Sequence, residues 1–530
     1  MGYPIAMDTA LLNWIRILFI VAISSILIGL FTIGVSFRTE ELAFLNSIGR
    51  TVSTAGYRAQ YALTGPRDTA SVILALAPQA PSLRDGAPVA HAVPVLLYHG
   101  IVASSDRFSL TQETFRDQMF ALKRAGYQTI TLQDFLAFEK GEKDLPEKSF
   151  LLTFDDGRTD SYERGDPVLQ ALGYTAVMYV ATEDSLDAPQ HHSGYYLTSD
   201  EIRRMQASGR WEIGSHARQV GGGFVTLDTM GTRANFLSNR QWLTDAGRLE
   251  TTEEYTARVD DELGTAQRLL TSALGVPIIS LSYPFGDYGQ EAQNQPSAKS
   301  IINEVARRYY AFAFEQVWPG DSRYSANYSG EDPYYLRRIE AGTTWSGAQL
   351  LSVMNAAIAR PLPYTETFES VQAWKHNWGI ITMHNGMLTL DAAPHSTGAF
   401  TFLDGAGYWG DYRYTVAAQI KGGTTLGLIA RYQDEGTMLS CTFSDGVVRL
   451  KQQMGSSTQV LAEKLSAVPS EAQLGMGVIG SDASCSVDGT SIVDGSFDAQ
   501  VARGGIGLTI WDETAGSASA TISSLEVTTP

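Results

Sequence analysis

The sequence predicts an α/β barrel followed by an all-β sandwich, with an N-terminal membrane helix ahead of both. Three observations carry that expectation. An uncharged apolar run lies near the start; continuous apolar strands alternate with helical stripes in the middle; and short alternating strands parted by Gly, Asp and Ser turns fill the end. At 530 residues there is room for about three or four domains. A hydrophobic content of 44% argues against a mainly disordered chain, and a net charge of −18 argues against nucleic-acid binding by phosphate neutralisation.

Residues 17–35 read ILFIVAISSILIGLFTIGV, with no charge between Arg16 and Arg38. Such a run is long enough to cross a hydrocarbon layer roughly 30 Å thick. No small-x-small cleavage site follows it before Phe37, which favours a retained anchor, residues 1–38, over a cleaved signal. Arg16 and Arg38 nearly balance, so an extracytoplasmic body is expected from features further along the chain. Residues 39–90, rich in Ala, Ser, Pro and Thr, read as stalk and linker.

The barrel is expected over residues 91–362. VPVLLY (93–98), SFLLTF (149–154), TAVMYV (175–180), WEIGS (211–215), PIISLSY (277–283) and YYLRRIE (334–340) read as buried strands. Between them, Phe115, Met119 and Leu122 fall at i, i+4 and i+7, and Tyr255, Val259, Leu263 and Leu270 make a second helical stripe. Thr198 and Glu201 have capping-box spacing. About seven strand–helix units suit an irregular (β/α)7-type barrel with its ligand site at the strand C-termini.

From residue 365 to 530 helical period disappears. YRYTVAAQI, LGLIARY, MLSCTF, VVRLKQ, LGMGVI, IGLTIW and ATISSLEV read as strands of an antiparallel sandwich. Its two cysteines, Cys441 and Cys485, are the chain's full complement, too few for a disulfide framework. One disulfide across neighbouring strands is the expectation, in keeping with an oxidising compartment, and two free buried thiols are the alternative.

The chemistry concentrates at Asp155-Asp156-Gly157, directly after an apolar strand. Two adjacent carboxylates at a strand end are costly unless a cation or a shared proton compensates them, so the turn suggests a metal or a general base. Four segments occur in order, each after a strand: YHG (98–100), TFDDG (153–157), EIGSH (212–216) and SYPFGDYG (282–289).

Together these segments resemble the NodB-homology polysaccharide deacetylases (carbohydrate esterase family 4), most closely the branch acting on poly-N-acetylglucosamine. The resemblance spans roughly residues 92–360 and implies a divalent-metal hydrolase removing N-acetyl groups from an extracellular amino-sugar polysaccharide. It implies Asp155 as general base, Asp156 and His216 as metal ligands, the backbone N–H of Phe285 as oxyanion donor and His99 as proton donor. The metal implied is zinc, with cobalt or nickel as alternatives. The sandwich resembles concanavalin-like jelly rolls, and its aromatics (Trp374, Trp378, Tyr408, Trp409, Tyr412, Tyr414, Tyr432, Trp511) suggest a carbohydrate-binding module.

Two departures from the family pattern stand out. Residues 217–223 read ARQVGGG, without the second His of the family. The insertion at 221–255, with Asp228, Asn235 and Asp245, or the pair His191-His192, are the candidate replacements. Ser282 stands where the family's base-orienting Arg would be, leaving Arg337 or Arg338 to supply that charge; Arg338 is taken for it. Two other readings remain: an inactive glycan-binding or scaffold protein on a degenerate barrel, and an O-acetyl esterase.

Overall fold

Alternation along the central strands sorts their side chains into two apolar layers. The computed structural model describes residues 88–186, 195–218, 223–317, 325–444 and 446–530. In strand β1 (Ala92–Tyr98), Val93 and Val95 join one cluster, while Ala92, Leu96 and Tyr98 join another. Strands β2 (Ser149–Phe154) and β3 (Ala176–Val180) divide in the same way, with Leu151, Val177 and Tyr179 on the first side. The period of two places the first set in the barrel lumen and the second under the surrounding helices.

The parallel sheet continues through β4 (Trp211–Ser215), β5 (Ser280–Ser282) and β6 (Phe312–Phe314). Its order is β6-β5-β4-β3-β2-β1, and β7 (Ile339–Glu340) pairs with the far side of β1. Single parallel bridges, Phe314 to Leu336 and Val317 to Ile339, join the chain after β6 to that leading into β7. The sheet therefore closes on itself as an irregular barrel. SFLLTF and WEIGS form strands at the expected bounds, whereas 277–283 shrinks to the three residues of β5 and 334–340 to the two of β7 at the seam. Phe312–Phe314, outside the expected strands, supplies the missing one.

Helices α1 (Gln112–Arg124), α2 (Leu132–Glu139), α3 (Thr159–Leu172), α4 (Ser199–Ala207), α5 (Thr252–Leu274), α6 (Ala298–Tyr309) and α7 (Gly347–Ala357) accompany the barrel. Thr198 and Thr251 begin α4 and α5 with reciprocal capping boxes. Phe135 of α2 packs on Phe312 and Phe314, at 5.7 and 5.4 Å between ring centroids, and helps fill the lumen with apolar mass. Polar side chains take over towards the strand C-termini: Thr153, Asp155, Ser282 and Arg338 are all buried there.

The sandwich is two antiparallel sheets. One runs in the order Ile380–His384, Met387–Asp391, Ser519–Thr528, Tyr412–Ile420, Glu471–Ile479, Asp482–Val487, Thr490–Ser496. The other runs Trp374–Trp378, Gly398–Leu403, Gly505–Trp511, Thr425–Asp434, Thr437–Ser444, Val447–Met454, Ser457–Leu465. Cys441 and Cys485 form a disulfide, but they belong to different sheets. The bond therefore ties sheet to sheet through the core rather than joining neighbouring strands. Of the aromatics expected to offer sugar platforms, Trp374, Trp409, Tyr412, Tyr414 and Tyr432 are buried; Trp378 and Trp511 are exposed. Asp404, Asp411 and Asp434 each make separate local bonds.

The anchor and stalk expected over residues 1–90 lie, up to residue 87, outside the described residues, as does His191-His192. Among the described residues no helix is long and apolar enough to cross a membrane.

Candidate active site

Strand β2 ends by delivering two carboxylates in different ways. Asp155 continues the lumen-facing alternation and is buried, its N–H held by the Tyr98 carbonyl at 3.0 Å. Asp156 and Gly157 then turn through the left-handed region, φ 74° and 68°, which short polar residues tolerate and glycine favours. A Cβ on Gly157 would also sit 3.1 Å from Ser185 Oγ. The turn thus releases the second carboxylate from the sheet.

Arg338, fully buried, reaches Asp155 from the strand before Ile339. Its Nη1 and Nη2 donate to the two carboxylate oxygens at 2.7 and 2.8 Å. Ser282 Oγ donates to Asp155 Oδ2 at 3.0 Å and accepts from Arg338 Nη2 at 2.7 Å. Burial alone would raise the Asp155 pKa, but the guanidinium beside it holds the carboxyl well below the usual carboxylate range. Ser282 therefore occupies the expected arginine position as a bridge to an arginine arriving from another strand. Arg337, one residue earlier, faces away and pairs with Glu331 at 2.5 Å.

His216 follows β4, its N–H bonded to the Val180 carbonyl at 3.0 Å. Its Nδ1 lies 2.9 Å from the Ser282 carbonyl oxygen, which only accepts, so Nδ1 carries the proton. Nε2 is left facing the acids, 3.5 Å from Asp156 Oδ1 and 3.9 Å from Asp155 Oδ2. Two donors each about 2.1 Å from a tetrahedral ion stand about 3.4 Å apart, so the Asp156–His216 pair suits one. Imidazole with carboxylate is also a donor set that zinc, cobalt or nickel accepts.

None of the insertion residues completes that pair. Asp228 accepts from Met230 and Thr232 in its own exposed turn, Asn235 bonds Asp287, and Asp245 lies exposed in a hairpin. Among the described residues no third His, Cys, Asp or Glu joins the pair to make a three-ligand cluster.

Across the mouth, His99 Nδ1 donates to Glu340 Oε1 at 3.1 Å, and Gln316 Nε2 holds the other Glu340 oxygen at 3.0 Å. Burial would lower the His99 pKa, but Glu340 overrides it, with Asp156 and Asp155 adding to the pull; the imidazole is raised to about 9. It is therefore a charged donor at neutral pH. Glu340 was missed from the sequence, although it lies two residues after Arg338 and shares its strand face.

Phe285 sits at the tip of the turn after β5 with φ 61°. Gly286 N–H donates to the Tyr283 carbonyl at 2.9 Å and Asp287 N–H to the Pro284 carbonyl at 3.1 Å. The Phe285 N–H has no hydrogen-bond partner among the described residues.

Against this geometry, residues 142–300 match the family model described as polysaccharide deacetylase. The chain carries a polysaccharide deacetylase domain. A poly-beta-1,6-N-acetyl-D-glucosamine N-deacetylase of Escherichia coli K12 is 28% identical over 196 residues, 35% of this chain and 29% of the relative. A protein of the same description from Staphylococcus aureus is 26% identical over 113 residues, 21% of this chain and 38% of the relative. A solved deacetylase domain from Bordetella bronchiseptica is 26% identical, covering 49% of this chain and 99% of that domain, with a TM-score of 0.39. The deacetylase domain thus spans less than a third of the length of the E. coli relative.

Proposed function

We propose that this protein is a metal-dependent hydrolase that removes N-acetyl groups from an extracellular amino-sugar polysaccharide. One observation carries the reading: a buried carboxylate locked to Arg338 stands beside the Asp156–His216 pair, with the charged imidazole of His99 at the same mouth. An amide needs such a set, because water must lose a proton as it adds and the amine must gain one as it leaves.

Asp155, ionised and oriented by Arg338 and Ser282, takes the proton from the attacking water. The Phe285 N–H donates to the oxyanion that forms as the carbonyl rehybridises. His99, held by Glu340 at Nδ1, gives its Nε2 proton to the sugar nitrogen as the C–N bond breaks. Acetate and a free amine are the products. A divalent ion held by Asp156 and His216, zinc or alternatively cobalt or nickel, would polarise the acetyl carbonyl. With two protein donors among the described residues, such an ion would be held more weakly than in a three-ligand site.

The reading extends to a membrane-anchored protein with its body outside the cytoplasm. The apolar run at residues 17–35 supports the anchor, and the Cys441–Cys485 disulfide supports an oxidising compartment. The exposed Trp378 and Trp511 support glycan contact by the sandwich.

The test is to incubate the full chain with N-acetylated glucosamine oligomers and measure acetate and primary amine together, before and after chelation and metal return. Equal acetate and amine, lost on chelation and restored by zinc, cobalt or nickel, is the expected result. Acetate release confined to O-acetylated sugars would replace the reading with an esterase. No release from either substrate class would leave a glycan-binding or scaffold protein.

A further inference from the structure

The insertion between β4 and α5 supplies no metal ligand, yet it brings a large aromatic to the catalytic mouth. Its first hairpin pairs Phe224–Thr226 with Arg233–Asn235. Phe224 is 45% exposed and packs at 5.3 Å on Phe285, itself 41% exposed. Arg233 holds its guanidinium 5.6 Å from the Phe224 ring centre. On the other side of the mouth Phe108, also exposed, lies 6.1 Å from the His99 ring.

Scattered exposed hydrophobic residues need no explanation. This pair is different, since two segments distant in sequence meet to leave both rings open beside the reacting groups. Phe285 also holds a left-handed backbone that a bulky residue adopts at a cost. If the backbone N–H alone mattered, glycine would serve there without that strain.

We infer that Phe224 and Phe285 form a stacking platform for the acetylated hexosamine unit next to the one being deacetylated. This rests on the deacetylase reading. Because the Phe285 ring and its N–H belong to one residue, a sugar on the platform lies beside the carbonyl that the N–H polarises. The apolar C–H face of a pyranose suits the two rings. Arg233 at the edge offers N–H donors to hydroxyl and acetyl oxygens. Its positive charge disfavours a deacetylated, cationic unit in the same place, so the platform favours uncleaved stretches of polymer.

The test compares the full chain with Phe224→Ala and Phe224→Trp on N-acetylglucosamine oligomers and on a small acetyl ester too short to reach the platform. Phe224→Ala should raise KM for the oligomers about tenfold with kcat within about twofold, and Phe224→Trp should restore it. Turnover of the small ester should not change in either variant. Oligomer KM unchanged in Phe224→Ala, or small-ester turnover falling in parallel, would overturn the platform. Should the parent chain release no acetate from any substrate, the deacetylase reading fails by itself. Calorimetric binding of the same oligomers then decides the platform: weaker in Phe224→Ala supports it, equal in both refutes it.

Discussion

The charge on His99 depends on one neighbour. With Glu340 in place its pKa is about 9 against an ordinary 6.5, so it is protonated across the neutral range and loses its proton as pH rises through about 9. Its ion pair stabilises the fold fully below pH 6.5, and that contribution disappears as pH climbs through the raised value. For Glu340→Gln, the alkaline limb of kcat/KM should move from near 9 towards 6.5, as a pH–rate profile would show. An unmoved limb would remove His99 as the acid. Arg338 offers a stability test at the same scale. Replacing it with Met leaves the buried Asp155 carboxylate without its cation, and chemical denaturation should show a loss of about 3–5 kcal/mol. Asp155 was legible because an Asp-Asp turn after an apolar strand needs compensation. Arg338 was harder to separate from Arg337, and Glu340 was missed, since their facing depends on the register of a strand whose hydrogen-bonded part is Ile339–Glu340.

Among elements, legibility followed length and burial. SFLLTF and WEIGS are long enough to declare themselves, and both form strands at those bounds. Phe312–Phe314 has three residues directly beyond the aromatic end of α6, too few to show a period. Ser457–Leu465 is an edge strand exposed along most of its length, so no hydrophobic alternation marks it. The two cysteines suggested a bond, but their strands' membership of opposite sheets depends on the fold order of the sandwich. Closing a loop between half-cystines 44 positions apart implies about 4 kcal/mol of stabilisation on the chain-entropy model. Cys441→Ala with Cys485→Ala should therefore lower the thermal midpoint of the sandwich while leaving the barrel transition in place, measured by calorimetry.

At the scale of the molecule, barrel and sandwich meet around Arg360. Its carbonyl accepts from Tyr408 Oη at 2.7 Å and Trp409 Nε1 at 2.6 Å, and its N–H donates to the Gly405 carbonyl at 2.7 Å. His91 stacks on Tyr408 at 4.8 Å, and Tyr328 Oη accepts from the Gly407 N–H. Gly405 has φ 79°, and a Cβ there would lie 2.3 Å from the Ile358 carbonyl oxygen. Gly405→Ala should thus loosen the junction at a cost of about 1–3 kcal/mol and open residues 361–363 to limited proteolysis.

In the proposed mechanism Asp155 activates water beside an ion held by Asp156 and His216. Acetate release by Asp155→Asn, with metal content measured on the same sample, tests it most directly. Metal should stay near the parent level while turnover falls by at least about a hundredfold. Turnover close to that of the parent chain would contradict it.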